Sequence, residues 1–171
     1  QRRAVHALRQ EEVAQRTRQI HEELPNRQIV LGVDRLDYTK GIPQRMKAFQ
    51  NLLRRYPDLH QRINLVLVVV PSRVGIPKYD ALKADIERLA GEINGQFTQS
   101  GWVPIHYTIR SLERKELLAH YRAAEIALVT PLKDGMNLVA KEFCASSVEE
   151  NSVLILSEFA GAAAQLKSGA L

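Results

Sequence analysis

A chain of 171 residues, 45% hydrophobic and 25% charged, is long enough for one buried core and falls in the ordinary range of a single domain. Its formal charge of +5, from 24 Lys and Arg against 19 Asp and Glu, is spread along the sequence, which fits an anionic small molecule at least as well as nucleic acid. The single cysteine excludes an internal disulfide and points to a reducing compartment. No apolar run reaches the roughly 18 residues of a spanning helix, and the N-terminus lacks the basic-then-apolar order of a secretion signal. A cytoplasmic protein with no membrane partner is the expectation.

In chain order, Val5, Leu8, Val13, Ile20 and Leu24 recur in a charged helical pattern. Ile29 to Val33 is the first apolar run of strand length, and a polar loop follows it to Gly41. Ile42, Met46, Phe49, Leu52, Leu53 and Tyr56 mark a helix, with Pro43 suited to its first turn. Leu65 to Val70 is the second strand, and Tyr79, Leu82, Ile86, Leu89 and Ile93 mark a helix that starts at Pro77. Val103 to Tyr107 is the third strand, followed by a helix at Leu117, Leu118 and Tyr121 for which Ser111 is the expected N-cap. Ile126 to Thr130 and Val153 to Leu156 are the fourth and fifth strands, and the helix at Leu138, Val139 and Phe143 carries Cys144, read as a small buried apolar residue. The runs are continuously apolar and β-branched, as in parallel strands covered on both faces. Their alternation with helices gives the fold class: α/β, a Rossmann-like doubly wound parallel sheet, one domain over residues 1–171. Both ends read as cut, since the chain starts without methionine and stops at Gly169-Ala170-Leu171 where a new apolar segment begins.

Open parallel sheets bind ligands at the carboxyl ends of their strands, so chemistry belongs in the loops that follow each strand. Arg35 and Lys40 lie five residues apart in the first loop, a planar fork and a mobile point charge suited to a diphosphate. The alternative is a surface loop in which Arg35 pairs with Asp34 or Asp37. Asp134 would repel a phosphate but accepts hydrogen bonds from vicinal hydroxyls, so a sugar is its natural partner. Gly135 lets backbone approach a ligand, and the amides of Met136, Asn137 and Leu138 are expected to be unpaired helix-start donors. Glu142, four residues after Leu138, shares its helix face and suits ribose hydroxyls. The bland alternatives are a helix N-cap for Asp134 and a solvated glutamate for Glu142. Arg73 follows the second strand and suits a second anionic group. His106 reads as a structural histidine at a strand end, and Trp102 and Phe97 as packing residues. Neither Gly-x-Gly-x-x-Gly nor a Walker glycine-lysine loop is present, which disfavours a dinucleotide dehydrogenase or a P-loop NTPase. Nothing resembles a zinc site or a serine triad.

Val33-Asp34-Arg35-Leu36-Asp37-Tyr38-Thr39-Lys40-Gly41, Glu92-Ile93-Asn94-Gly95, the run Leu128 to Glu142 and Ser157-Glu158-Phe159-Ala160-Gly161-Ala162 together resemble the trehalose-6-phosphate synthase family over nearly the whole chain. The resemblance implies a retaining glycosyltransferase of GT-B type, with two Rossmann-like domains. Such an enzyme moves glucose from UDP-glucose to glucose 6-phosphate, releasing UDP and trehalose 6-phosphate without a metal or other cofactor. It implies that this chain is the C-terminal, nucleotide-sugar-binding domain alone, lacking its extreme end, with the N-terminal acceptor domain as its absent partner. Carried over by position, Arg35 and Lys40 become the diphosphate clamp. Asp134, with the backbone of Gly135, Met136, Asn137 and Leu138, holds the donor glucose and phosphate, and Glu142 takes the ribose. Arg73 reaches toward the acceptor phosphate, and Arg110-Ser111-Leu112 with Leu117 matches the uracil-lining region. Lys133 stands where the family often has arginine. The alternatives are a related synthase with another phosphorylated acceptor such as glycerol 3-phosphate, and a catalytically silent nucleotide-sugar-binding module. Nucleic-acid binding, the third, predicts affinity that falls steeply with salt. An exposed inter-domain face would also favour self-association.

Overall fold

The computed structural model describes residues 2–72, 75–147 and 151–166, with side chains from residue 10 onward. Five strands, β1 (Gln28–Arg35), β2 (Ile63–Val70), β3 (Ile105–Ile109), β4 (Ile126–Val129) and β5 (Val153–Leu156), form one parallel sheet in the order β3-β2-β1-β4-β5. The helices are α1 (Arg2–Glu23), α2 (Ile42–Arg55), α3 (Pro77–Phe97), α4 (Arg114–Ala123), α5 (Leu138–Ser146) and α6 (Ala163–Leu166).

The doubly wound expectation holds because the central strands have no polar face to offer water. All residues of β2 but its last are buried, and β1 is buried between its two ends. On one face of the sheet Val13 and Ile20 of α1, Ala119 and Tyr121 of α4 and Phe143 of α5 pack with Leu31, Val33, Val66 and Val68. On the other, Ile42, Met46, Phe49 and Leu53 of α2 and Ile86, Leu89 and Ile93 of α3 pack with Val30, Leu65, Leu67 and Val69. Each fully buried aliphatic or aromatic side chain of this kind contributes about 1.5–3 kcal/mol by leaving water.

Strand order reverses between β1 and β4, and the pairing there is short. β1 matches β2 from Gln28↔Ile63 to Arg35↔Val70, whereas β1 and β4 share only Val30↔Ile126 and Leu31↔Ala127. The two strands then run on to Arg35 and Val129 as separate edges of a crevice, the place where doubly wound sheets hold ligands.

Several expectations need correction. β3 begins at Ile105, not Val103, because Pro104 has no N–H for a ladder and its carbonyl instead accepts from the Leu65 N–H at 2.9 Å. His106 is therefore near the start of its strand rather than its end, with its ring hydrogen-bonded to the Val103 backbone. β4 stops at Val129, and β1 and β2 are longer than their apolar runs. Glu113, not Ser111, precedes α4, and it makes no side-chain cap bond. Cys144 is exposed: the buried stripe of α5 is Ala140, Phe143 and Ser146, and Cys144 falls beside it. Trp102 is a packing residue as expected, fully buried, with its indole N–H on the Ile63 carbonyl at 3.1 Å.

Candidate functional site

The β1–α2 and β4–α5 loops meet above the crevice. Asp37 turns the first loop, its Oδ1 accepting from the Thr39 N–H at 2.9 Å and the Thr39 hydroxyl at 2.7 Å, and so starts one 3-10 turn over Tyr38–Lys40. These bonds outweigh the upward push of partial burial and hold the Asp37 carboxyl below its usual value. Gly41 ends the turn at φ 66°, and a Cβ there would stand 2.9 Å from the Thr130 carbonyl. Glycine thus permits both the left-handed backbone and the close approach to the residue that follows β4. The second loop is tied to the first by the N–H groups of Leu132 and Lys133, which donate to the Thr39 carbonyl at 2.7 and 3.2 Å.

This joint brings Lys40 to Asp134. Nζ lies 2.6 Å from Oδ2, with the side chains 13% and 15% exposed. Asn137 Nδ2 donates to the same oxygen at 3.0 Å, and the Met136 N–H also serves this carboxylate. Partial burial pushes the Asp134 carboxyl up, but the hydrogen bonds from Lys40 and Asn137 win and hold it below the usual range. Asn137, at φ 61°, is the N-cap of α5, with its Oδ1 accepting from the Ala140 N–H at 2.9 Å. Asp134 is therefore not the cap, which removes the bland alternative for it. The Met136 amide is engaged rather than unpaired, contrary to expectation.

The other expected residues stand in different relations to this pair. Arg35 ends β1 with its side chain 66% exposed and its guanidinium 3.9 Å from Asp37, so a cation stands at the rim. Gly135 is exposed with open space where a Cβ would sit, and Met136 and Leu138 are exposed beside it. Glu142, one turn into α5, is exposed and accepts from the Tyr121 hydroxyl at 3.0 Å. Leu112 and Leu117 are half-buried against the core on the α1, α4 and α5 face and do not join the Lys40–Asp134 pair. Arg73 lies outside the described residues.

Two supports of the site carry no conspicuous sequence signal. On one side the Asp134 N–H donates to the Phe159 carbonyl at 3.1 Å, and the Gly161 N–H donates back to the Asp134 carbonyl at 2.7 Å. A Cβ on Gly161 would collide with the Gly135 carbonyl, so only glycine lets the segment after β5 brace this loop. Beneath, Arg45 is 3% exposed and fills the crevice. Its Nη1 lies 2.6 Å from Asp34 Oδ2, its Nε donates to Thr130 Oγ1 at 3.1 Å, and Nη2 reaches the Lys40 carbonyl at 3.4 Å. Burial pushes the Asp34 carboxyl up against the pull of Arg45. The one available clue was that Arg45 falls in the buried stripe of α2 with Ile42, Met46, Phe49 and Leu53.

The result is a rim with the exposed Arg35, a cation and a carboxylate paired in a partly open setting, and a helix start, an arrangement able to hold an anion beside hydroxyl groups. Residues 2–171 match the family described as Glycosyltransferase family 20. Similar curated relatives include the "Alpha,alpha-trehalose-phosphate synthase [UDP-forming] A" of Dictyostelium discoideum, 43% identical over 165 residues, 96% of this chain and 22% of the relative. The trehalose-6-phosphate synthase of Mycobacterium bovis is 48% identical over 163 residues, 95% of this chain and 33% of the relative. Among solved structures, an E. coli trehalose-6-phosphate structure bound with UDP-2-fluoro glucose gives a TM-score of 0.85 at 40% identity, covering 93% of this chain and 37% of that one. A Burkholderia xenovorans alpha,alpha-trehalose-phosphate synthase (UDP-forming) in complex with glucose-6-phosphate gives 0.86 at 36% identity, covering 92% and 37%. The chain thus spans about a fifth to a third of the curated relatives it matches. With the match running from residue 2 to residue 171 on a sheet shared with solved synthases, this chain belongs to glycosyltransferase family 20.

Proposed function

We propose that this chain is the nucleotide-sugar-binding half of a retaining glucosyltransferase that passes glucose from UDP-glucose to glucose 6-phosphate, giving trehalose 6-phosphate and UDP. The observation that carries this reading is the Lys40–Asp134 pair at the start of α5, 2.6 Å apart over the strand-order reversal, beside the exposed Arg35. Cations suit a diphosphate and a carboxylate suits sugar hydroxyls, and here they share one rim. Two solved relatives, one bound with UDP-2-fluoro glucose and one in complex with glucose-6-phosphate, support the same pair of substrate classes.

The chemistry follows from where charge develops. Breaking the sugar–phosphate bond builds oxocarbenium character on glucose and moves negative charge onto UDP. Arg35, Lys40 and the positive end of α5 stabilise that charge more than they stabilise the ground state. To reach the phosphate, Lys40 exchanges its Asp134 partner for a phosphate oxygen. Asp134, still held by Asn137, then accepts from the glucose hydroxyls. Retention follows from attack on the face that UDP leaves, with a leaving-phosphate oxygen taking the proton of the acceptor hydroxyl. The two cations serve in place of a metal, and the reaction draws on no other cofactor. Glu142 accepts from the ribose, Leu112 and Leu117 lie by the uracil, and Arg73 meets the acceptor phosphate.

Tyr38, Ile76, Leu132, Met136, Leu138 and Phe159 are large apolar residues exposed in the loops and at the helix start at this end of the sheet. They fit a surface closed by substrates and by an acceptor-binding domain of the same protein, and left open it would favour self-association. Calorimetric titration of the intact protein with UDP, UDP-glucose and GDP, beside a variant carrying Arg35→Ala and Lys40→Ala, tests the reading. Binding of the uridine ligands that is lost in the variant supports it. Unchanged binding in the variant, or no uridine binding in the intact protein, overturns it. Product formed with glycerol 3-phosphate but not glucose 6-phosphate would move the assignment to the related synthase.

A further inference from the structure

Tyr121 is buried in α4 beneath the site, and its ring stands edge-on to Phe143 with centroids 6.5 Å apart and planes at 77°. A hydroxyl carried that deep needs a partner, and the one it has among the described residues is Glu142 Oε2 at 3.0 Å. Burial, with the Glu142 charge beside it, pushes the phenol far above its usual value, so it stays protonated and acts only as a donor. Glu142 itself is exposed, and its Oε1 makes no hydrogen bond among the described residues. An exposed glutamate ordinarily samples many rotamers, and ordering it is a cost that a ligand must otherwise meet on binding.

We infer that Tyr121 is a positioning residue for nucleotide selection: its buried hydroxyl fixes the Glu142 carboxylate so that the free oxygen is already in place for the ribose hydroxyls of the donor. The inference rests on the proposed role of Glu142 and adds a residue that never meets substrate. The phenol orients the carboxylate from the protein side, and the carboxylate reads ribose on the other.

Tyr121→Phe removes one oxygen and keeps the ring packing, so the fold is retained. The readout is a ratio, the affinity for UDP over that for 2′,3′-dideoxy-UDP, measured calorimetrically in the intact protein. Hydrogen bonds to a charged group predict a ratio of roughly 10 to 100 in the parent protein. Tyr121→Phe should shrink it about threefold to tenfold, as expected when one rotamer-rich side chain loses its preset position. Glu142→Gln should shrink it at least as far, and the double variant should match Glu142→Gln alone, because Tyr121 acts only through that carboxylate. A general loosening of the fold would weaken both ligands alike and leave the ratio unchanged. A ratio unchanged in Tyr121→Phe but lost in Glu142→Gln overturns the positioning role and leaves the ribose assignment standing. UDP binding without ribose discrimination in the parent protein, or no UDP binding at all, overturns both.

Discussion

Two ion pairs of equal length occupy the crevice, and they differ in everything else. Arg45–Asp34 and Lys40–Asp134 are each 2.6 Å long, but the first has side chains 1% and 5% exposed and the second 13% and 15%. Arg45 is also bound by Thr130 and reaches the Lys40 carbonyl, so its guanidinium has no open side on which to exchange partners. Lys40 has Asp134 as its single ion partner among the described residues, next to an exposed glycine. Burial drives the Asp34 carboxyl up, whereas the bonds to Asp134 overcome a smaller burial and drive it down. The comparison separates a pair that holds two strand ends together from a pair able to trade its partner for a ligand.

The largest expected effect breaks the buried pair. Arg45→Met leaves the Asp34 carboxylate uncompensated and should cost about 3–5 kcal/mol in urea unfolding, much of it recovered in the double variant with Asp34→Leu. A loss below about 1 kcal/mol would show that the guanidinium is not structural. Lys40→Ala should do the reverse, changing stability by at most about 1 kcal/mol while weakening UDP binding roughly tenfold or more in calorimetry. Equal effects on both would erase the distinction. Gly161→Ala presses on the Gly135 carbonyl and should destabilise by about 1–3 kcal/mol, with donor affinity falling more than in an alanine control on the exposed face of α3. The smallest effect is a pH dependence. Asp134 titrates below its ordinary 3.8 in the folded chain, so as pH falls the unfolded state takes up its proton first. Its contribution is present above that value and lost as pH falls through the folded one. Asp34, shifted up, has the opposite sign, contributing less as pH rises through its own window. The parent chain should therefore lose stability more steeply than Asp134→Asn between about pH 5 and pH 3, and parallel curves would count against the shift.

The sheet was legible because parallel strands buried on both faces announce themselves as runs such as Leu65 to Val70, and the helices because Ile42, Met46, Phe49 and Leu53 repeat on one stripe. Strand limits were less legible: β3 sits at an edge with His106 and Tyr107 exposed, so hydrophobicity could not override the break at Pro104. Of the site, the loop-borne residues could be placed because topology dictates which end of the sheet they occupy. Their partners could not, since Lys40–Asp134 and Tyr121–Glu142 join residues 94 and 21 positions apart, and no local pattern encodes such distances. Arg45 was missed for a different reason, that arginine ordinarily marks water, and here it marks the core.

The short pairing of β1 with β4 has a mechanical consequence. Next to its two matched residue pairs, the joint is held by side chains, by Glu125 Oε2 accepting from the Ile29 N–H at 2.7 Å below and by Arg45 between Asp34 and Thr130 above, and backbone bonds return only in the loops, at the Thr39 carbonyl. Backbone ladders on either side are longer, so the weakest backbone joint of the sheet lies between β1 and β4, pinned by a carboxylate and a guanidinium and covered by the core on both faces. The two loops above that joint stay tied through the Leu132 and Lys133 N–H groups on the Thr39 carbonyl, so local opening of the sheet should start between them and the matched residue pairs, where side chains alone hold the strands.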